Sequence, residues 1–166
     1  MEKMMTTTTD ATDTYAVELK KFQRLDAAGE IIASNTKWSV AASLIPVPYL
    51  DIAALGAIQV NMIVNLATLY DQKVTKQAVQ GVISVMLGTL VPAGAAQLAV
   101  TSSAKLVPGY GTAIGTISLA TFGTAATYSI GKVFVRHFEK GGTIGNFSTA
   151  AVQEDLKKEF AQASES

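Results

Sequence analysis

Apolar and polar positions alternate on a long scale, leaving three extended stretches with almost no charge between segments that hold nearly all of it. The first, Trp38 to Tyr70 (WSVAASLIPVPYLDIAALGAIQVNMIVNLATLY), has one acid, Asp51, and no Lys or Arg. Pro46 and Pro48 divide it, because a residue before proline is driven away from α geometry. From Asp51 or Ile52 to Tyr70 the pattern predicts a helix of about 20 residues, roughly 30 Å long and near the thickness of a hydrocarbon core. Asp71 to Lys76 is a polar connection. The second stretch, Gln77 to Ala104, contains Pro92-Ala93-Gly94, which predicts two helices, 76–91 and 94–104. The third, Lys105 to His137, opens on Leu106-Val107-Pro108-Gly109 and predicts a helix running to about Phe138.

The flanks read differently. Residues 1–12 are Thr-rich and polar and predict a disordered tail. A helix from about Thr14 to Ala33 follows, with Tyr15, Leu19, Phe22 and Leu25 at helical spacing and Glu18, Lys20, Lys21 and Arg24 around them. Such a helix docks on a bundle or lies on an anionic membrane, and docking is the expectation taken here. Asn35 to Ile45 predicts a short apolar helix. Gly141-Gly142 closes the long third helix, with Lys132, Arg136 and Lys140 suited to its C-terminal dipole. A polar helix, Thr149 to Ala163, carries Leu156 and Phe160 four apart. The fold class is therefore all-α, a compact bundle of five to seven helices with two Pro/Gly-bent apolar hairpins. Its organisation is a tail (1–12), a single helical membrane-associated domain (13–141) and a short polar C-terminal helix and tail (142–166).

Small and polar residues inside the apolar helices are the candidate packing sites. Gly111, Gly115, Gly123, Thr127 and Gly131 are spaced by multiples of four, the small-xxx-small arrangement that lets helix backbones approach. Each glycine costs a helix about 1 kcal/mol, so close packing must offset it; self-association through this stripe is the expectation. Gly81, Gly88 and Ala95 form a second stripe, seven apart. Asp51 reads as a helix N-cap, or as a buried anchor facing Gln59. Gln59, Asn61 and Asn65 read as interhelical hydrogen-bonding groups rather than the lining of an aqueous path. Lys105 marks a bend, His137 an interfacial or exposed position, and Trp38, beside Lys37, an interface anchor or a core residue.

Composition narrows the chemistry. Charged residues are 16% and hydrophobic residues 49% of the 166-residue chain, against a usual charged share of about 25%. Thirteen basic and 13 acidic residues balance to zero, which gives no electrostatic footprint for nucleic acid. There is no cysteine and one histidine, so disulfides, thiolate or His-based metal sites and a catalytic triad have no basis, and no cofactor is expected. The N-terminus has no apolar core of a secretory signal, which predicts a start in the cytosol. Twelve of the 13 Lys and Arg lie before Trp38, at 73 and 76, or from Lys132 on. With bends at Pro46–Pro48 and Lys105–Pro108 these would share one side, which charge excess assigns to the cytoplasm.

The residues Ile45-Pro46-Val47-Pro48-Tyr49-Leu50-Asp51, Gln59, Met62-Ile63 and Leu69-Tyr70 resemble a bacterial domain of unknown function that commonly follows a small Ras-like GTPase domain. Val107-Pro108-Gly109-Tyr110-Gly111 and the closing segment Tyr128 to Glu139, with Gly131 and Phe138-Glu139, continue the match over roughly residues 31–141. That family includes YcjF-type inner-membrane proteins. The resemblance implies a helical membrane-associated module of the cytoplasmic membrane, often with a GTPase partner and without catalytic residues. Gly131-Lys132 lacks the upstream glycine and following Ser/Thr of a phosphate loop, so any GTPase would be a separate protein. The expected function is thus non-enzymatic: a self-associating scaffold or anchor whose partners are lipid, a second copy and, as the resemblance implies, a separate GTPase. The alternative is a soluble helical bundle that opens to bind or enter lipid.

Overall fold

The computed structural model describes the backbone of residues 2–44, 50–104 and 110–165, and the side chains of 13–44, 53–92 and 119–165. The described residues form α1 (Glu2–Ser43), α2 (Leu50–Leu69), α3 (Lys76–Ala104), α4 (Tyr110–Glu139), a 3-10 turn (Ile144–Asn146) and α5 (Thr149–Ser164). The architecture is all-α, within the expected number of helices.

Two sequence expectations are corrected. The tail expected over 1–12 and the two helices expected after it are one helix of 42 residues. Nothing between Glu2 and Ser43 stops a helix: the segment holds no proline, and Gly29 is its lone glycine. Second, α3 passes through Pro92 instead of breaking there. Proline removes a single backbone bond, to the carbonyl four residues back, and the fully buried Leu90, Met86 and Ile83 hold the helix in place before it.

Pairs of contacting residues give the helix directions. Arg24 meets Glu139, Ile32 lies at Gly131 and Ser39 meets Thr127, so α1 is antiparallel to α4. Leu55 lies at Gly123, Gln59 meets Thr127 and Tyr70 packs on Phe138, so α2 runs parallel to α4. α4 touches every other helix and is the axis of the bundle. Its buried face, Phe122, Ala126, Ile130, Val133 and Phe134, meets Met62, Ile63 and Leu66 of α2 and Val79, Ile83, Met86 and Leu90 of α3 in one core. The α3 set recurs at 79, 83, 86 and 90, the stripe that a helix of 3.6 residues per turn presents to one side.

The ends close as local chemistry dictates. After α4, Gly141 takes φ +76° and the Gly142 N–H donates to the His137 carbonyl at 2.9 Å, a Schellman stop. Asp71 plays the same part after α2 at φ 56°, with the Gln72 N–H donating to the Ala67 carbonyl at 2.8 Å. Thr143 and Asn146 form a capping box, and Ser148 caps α5.

α5 is held on α4 by Leu156 and Phe160 and by an ion-pair group. Arg136 contacts Glu159 and Asp155, each at 2.7 Å, and Lys132 contacts Glu159 at 3.3 Å. Burial pushes the Glu159 carboxyl up, but hydrogen bonds from Arg136 and Lys132 and their charges hold it below its usual 4.5. A carboxyl lowered by folding adds stability above its unfolded value, and that stability is lost as pH falls through the folded value. Urea midpoints are therefore expected to fall between pH 5 and pH 3, and Glu159→Gln is expected to be less stable than wild type at pH 7 with a flatter acid limb. An unchanged pH profile in Glu159→Gln would refute this.

Candidate functional site

α1 packs against α4 at two glycines, Gly131 and Gly123. A Cβ placed on Gly131 would sit 2.7 Å from Ile32 Cγ1, so a larger residue there requires Ile32 or the helix to move. At Gly123 the added atom would lie 3.3 Å from Leu55 Cδ1 and 3.5 Å from Ser39 Cβ, in reach of a side-chain tip that can turn aside. The described part of the glycine stripe is thus covered by α1 and α2 of the same chain.

Between these two glycines lies a buried polar junction of three helices. Gln59 and Thr127 are wholly excluded from solvent, and Asn35, Ser39 and Ser43 nearly so. The Gln59 Nε2 donates to Thr127 Oγ1 at 2.8 Å; Ser39 Oγ lies 2.6 Å from the same oxygen. Thr127 Oγ1 is also 2.7 Å from the Gly123 carbonyl, Ser39 Oγ 3.0 Å from the Asn35 carbonyl, and Asn35 Nδ2 donates to the Ile31 carbonyl at 2.8 Å. Two hydroxyls supply two protons for three oxygen contacts, so one contact has no hydrogen at any instant. Gln59 Oε1, also buried, has no hydrogen-bond partner among the described residues. Burying an unpaired polar atom costs about 1–3 kcal/mol, so this junction specifies how the helices align more than it stabilises them.

The remaining candidate residues are dispersed. Pro46, Pro48, Lys105 and Pro108 lie outside the described residues. Asp51 lies in α2, and Gly111 and Gly115 in α4, with surroundings that also fall outside them. Gln59 pairs with Thr127. Asn61 and Asn65 are exposed, and neither side chain bonds another helix among the described residues. Gly81 and Gly88 face open space. His137 is half-buried, its Nε2 2.9 Å from the Thr143 carbonyl and its ring edge-on to Phe147. Sequence reasoning missed Asn35, Ser39 and Ser43. Their signal was present as small polar residues four apart on the face that also carries Ala28 and Ile32.

Among the described residues, one face of α1 and a groove between α2 and α3 are open. Residues 13–26 of α1 are all exposed, with Phe22 at 69% and Tyr15 at 78%, so this segment does not dock on its own bundle as expected. The reason is rotational. At about 100° per residue, Tyr15, Leu19 and Phe22 point roughly 150° away from the side that buries Ala28, Ile32, Asn35 and Ser39. Arg24, on the bundle side, reaches Glu139 at 3.2 Å and lies 4.9 Å over the Tyr70 ring. Burial first, and the neighbouring Glu139 second, raise the Tyr70 phenol above its usual 10. The second open surface is a groove of about 470 Å³ between α2 and α3, with Ala53, Gly56, Ala57, Val60 and Asn61 on one wall and Lys76, Gln80, Ile83, Ser84 and Leu87 on the other. No group of three or more His, Asp or Glu among the described residues could hold a metal ion.

The fold and its junction define a helical packing module of bundle type. The chain belongs to the family described as a domain of unknown function, DUF697, whose family model matches residues 7–165. It is 42% identical over 122 residues to magnetosome membrane protein 22 of Magnetospirillum gryphiswaldense, a match over 74% of this chain and 63% of that relative. The chain therefore spans less than two thirds of that relative's length. No solved structure matches it.

Substitutions at the α1–α4 contact separate close packing from polar pairing. Gly131→Val is expected to lower unfolding stability by about 1–3 kcal/mol through overpacking against Ile32. Gly88→Ala, in open space, is expected to raise it by up to about 1 kcal/mol. At the junction, Thr127→Val strands the Gln59 N–H and is expected to cost about 1–3 kcal/mol, whereas Gln59→Leu removes the unpaired oxygen and costs less. Urea denaturation followed by circular dichroism measures all four; a Gln59→Leu cost exceeding that of Thr127→Val would overturn this account of the junction.

Proposed function

We propose that the chain is a non-enzymatic, self-associating helical module of a bacterial cytoplasmic membrane. It is held from the cytoplasmic side and acts as a scaffold or as the membrane anchor of a separate GTPase. The observation that carries this reading is the polarity of the bundle about the Ser39–Gln59–Thr127 junction. In the described parts of α1–α4, the charged side chains occur no later than Lys37 on α1, no earlier than Lys132 on α4, and at 71–76 between α2 and α3. The packing directions collect all of these on one side of the junction. Level with the junction and beyond it Trp38, Val40 and Leu44 are exposed, an aromatic and aliphatic set of the kind that sits at a membrane interface. Kinship with a magnetosome membrane protein supports the membrane part. The resemblance to GTPase-linked domains supports the anchor role.

A second reading is a closed bundle that meets lipid at one end and opens to insert. It is favoured by the complete burial of Met62, Ile63, Leu66, Met86 and Leu90, which commits the apolar helices to the core of a folded bundle. Among the described residues no helix is long and apolar enough to cross a membrane.

Trp38 is the chain's single tryptophan and is 64% exposed, so its fluorescence reports on this end alone. Vesicles of phosphatidylethanolamine and phosphatidylglycerol are expected to shift its emission to the blue and to carry the protein upward in flotation. No shift and no flotation would overturn the membrane reading. Release of the bound protein by alkaline carbonate would mean surface attachment, and retention would mean insertion.

A further inference from the structure

The exposed face of α1 and the α2–α3 groove match each other. We propose that residues 15–26 of α1 dock in the α2–α3 groove of a second copy, reciprocally, to form a two-fold dimer. This deepens the self-association in the reading above and is independent of its membrane part.

The α1 face cannot be satisfied at home, because it points away from the side of α1 that packs. The groove is open along its length in the same chain. Its α2 wall is small at Ala53, Gly56 and Ala57, where a Cβ on Gly56 would meet nothing within 4 Å. Such a wall admits a third helix at close range, with the part-exposed Val60 and Leu87 as apolar contacts and the buried Ile83 beneath them. Amphipathic helices enter grooves of this kind through anchors at i, i+4 and i+7, the spacing of Tyr15, Leu19 and Phe22. The lengths agree as well. Lys76 to Leu87 along the groove and Tyr15 to Asp26 along the helix each rise roughly 16 Å.

Charge selects a second copy over an anionic lipid surface. Glu18 and Asp26 border the exposed face of α1, while Lys20, Lys21 and Arg24 lie on other sides of the helix. An anionic bilayer pressed against that face would meet two carboxylates. The groove instead presents a cation, Lys76. None of Lys76, Glu18 and Asp26 has an ion partner among the described residues.

Direction agrees too. Residues 13–23 of α1 precede Arg24, which sits with Tyr70 and Glu139 at the charged end of the bundle, and Lys76 marks that same end of the groove. With two bundles facing charged end to charged end, α1 of one enters the groove of the other past Lys76. Asp26 then falls near the partner copy's cation and Tyr15 runs deeper between the apolar walls. Both contacts are equivalent, as two-fold symmetry requires, and the apolar ends point apart and stay free.

The test uses purified full chain in sedimentation equilibrium. Wild type is expected to dimerise. Leu19→Glu/Phe22→Glu, which removes the helix face, and Gly56→Leu, which fills the groove, are each expected to weaken the dimer at least tenfold. Both changes fall on side chains or space exposed in the single chain, so circular dichroism and the urea midpoint should be near wild type. Ser84→Trp on the opposite wall serves if Gly56→Leu fails to fold. A mixture of the helix-face variant and the groove variant retains one intact helix face and one intact groove, and is expected to form a one-to-one heterodimer. Lys76→Glu should weaken the dimer and Asp26→Lys in the same chain should restore it. A monomeric wild type, a dimer unaffected by the groove variants, or a mixture that stays monomeric would overturn the proposal. Vesicle binding read through Trp38 should be unchanged in every variant, so failure of the dimer and failure of the membrane reading are seen separately.

Discussion

The close approach of α1 to α4 is the constraint on which the rest of the molecule depends. It exists because Gly131 and Gly123 have no side chains where Ile32, Ser39 and Leu55 come in. Bringing the backbones together sets Thr127 opposite Ser39 and within reach of Gln59, which ties α2 to the same level. With α1 and α2 fixed on α4, the apolar stripes of α2, α3 and α4 close into one core. Most of the favourable energy comes from that core, since apolar burial dominates folding. The alignment of the helices comes from the glycines and the polar junction, where a slip of one turn would leave buried hydroxyls and an amide unpaired.

This division explains an otherwise costly feature. Among the described residues Gln59 carries an unpartnered buried oxygen, and the two hydroxyls beside it share too few protons for their contacts. An apolar core of the same shape would be at least as stable. What such a core lacks is a preference for one alignment of uncharged helices over another. In a chain with 16% charged residues and long apolar helices, sliding and mispairing are the principal hazards, and a small polar layer at one level suppresses them. Among the described side chains of α1–α4, the charged ones end at about the level of this layer.

The chain belongs to a family of unknown function and is similar to a magnetosome membrane protein over 74% of its length. Its bundle leaves Tyr15, Leu19 and Phe22 of α1 in water and an open groove with Ala and Gly on its α2 wall, and the docking proposed above would cover both.

Much of the architecture was written locally. The all-α class, the limits of α2, α4 and α5, the stops at Gly141 and in the 71–76 connection, and the importance of small residues at 123 and 131 follow from periodicity, capping chemistry and glycine spacing. Each is a property of residues within a few turns of one another. Other features depended on which helix stands opposite which. No local pattern says that the glycine stripe is filled by Ile32 and Ser39 of its own chain, that Gln59 meets Thr127, or that Asn61 and Asn65 are left facing water. The apolar face at Tyr15, Leu19 and Phe22 looked like a docking face because periodicity reports that a helix is amphipathic. It does not report the rotation of that face relative to the one used further along. That rotation becomes decisive once Arg24, Ile32 and Ser39 are seated on α4, and only the tertiary structure sets it.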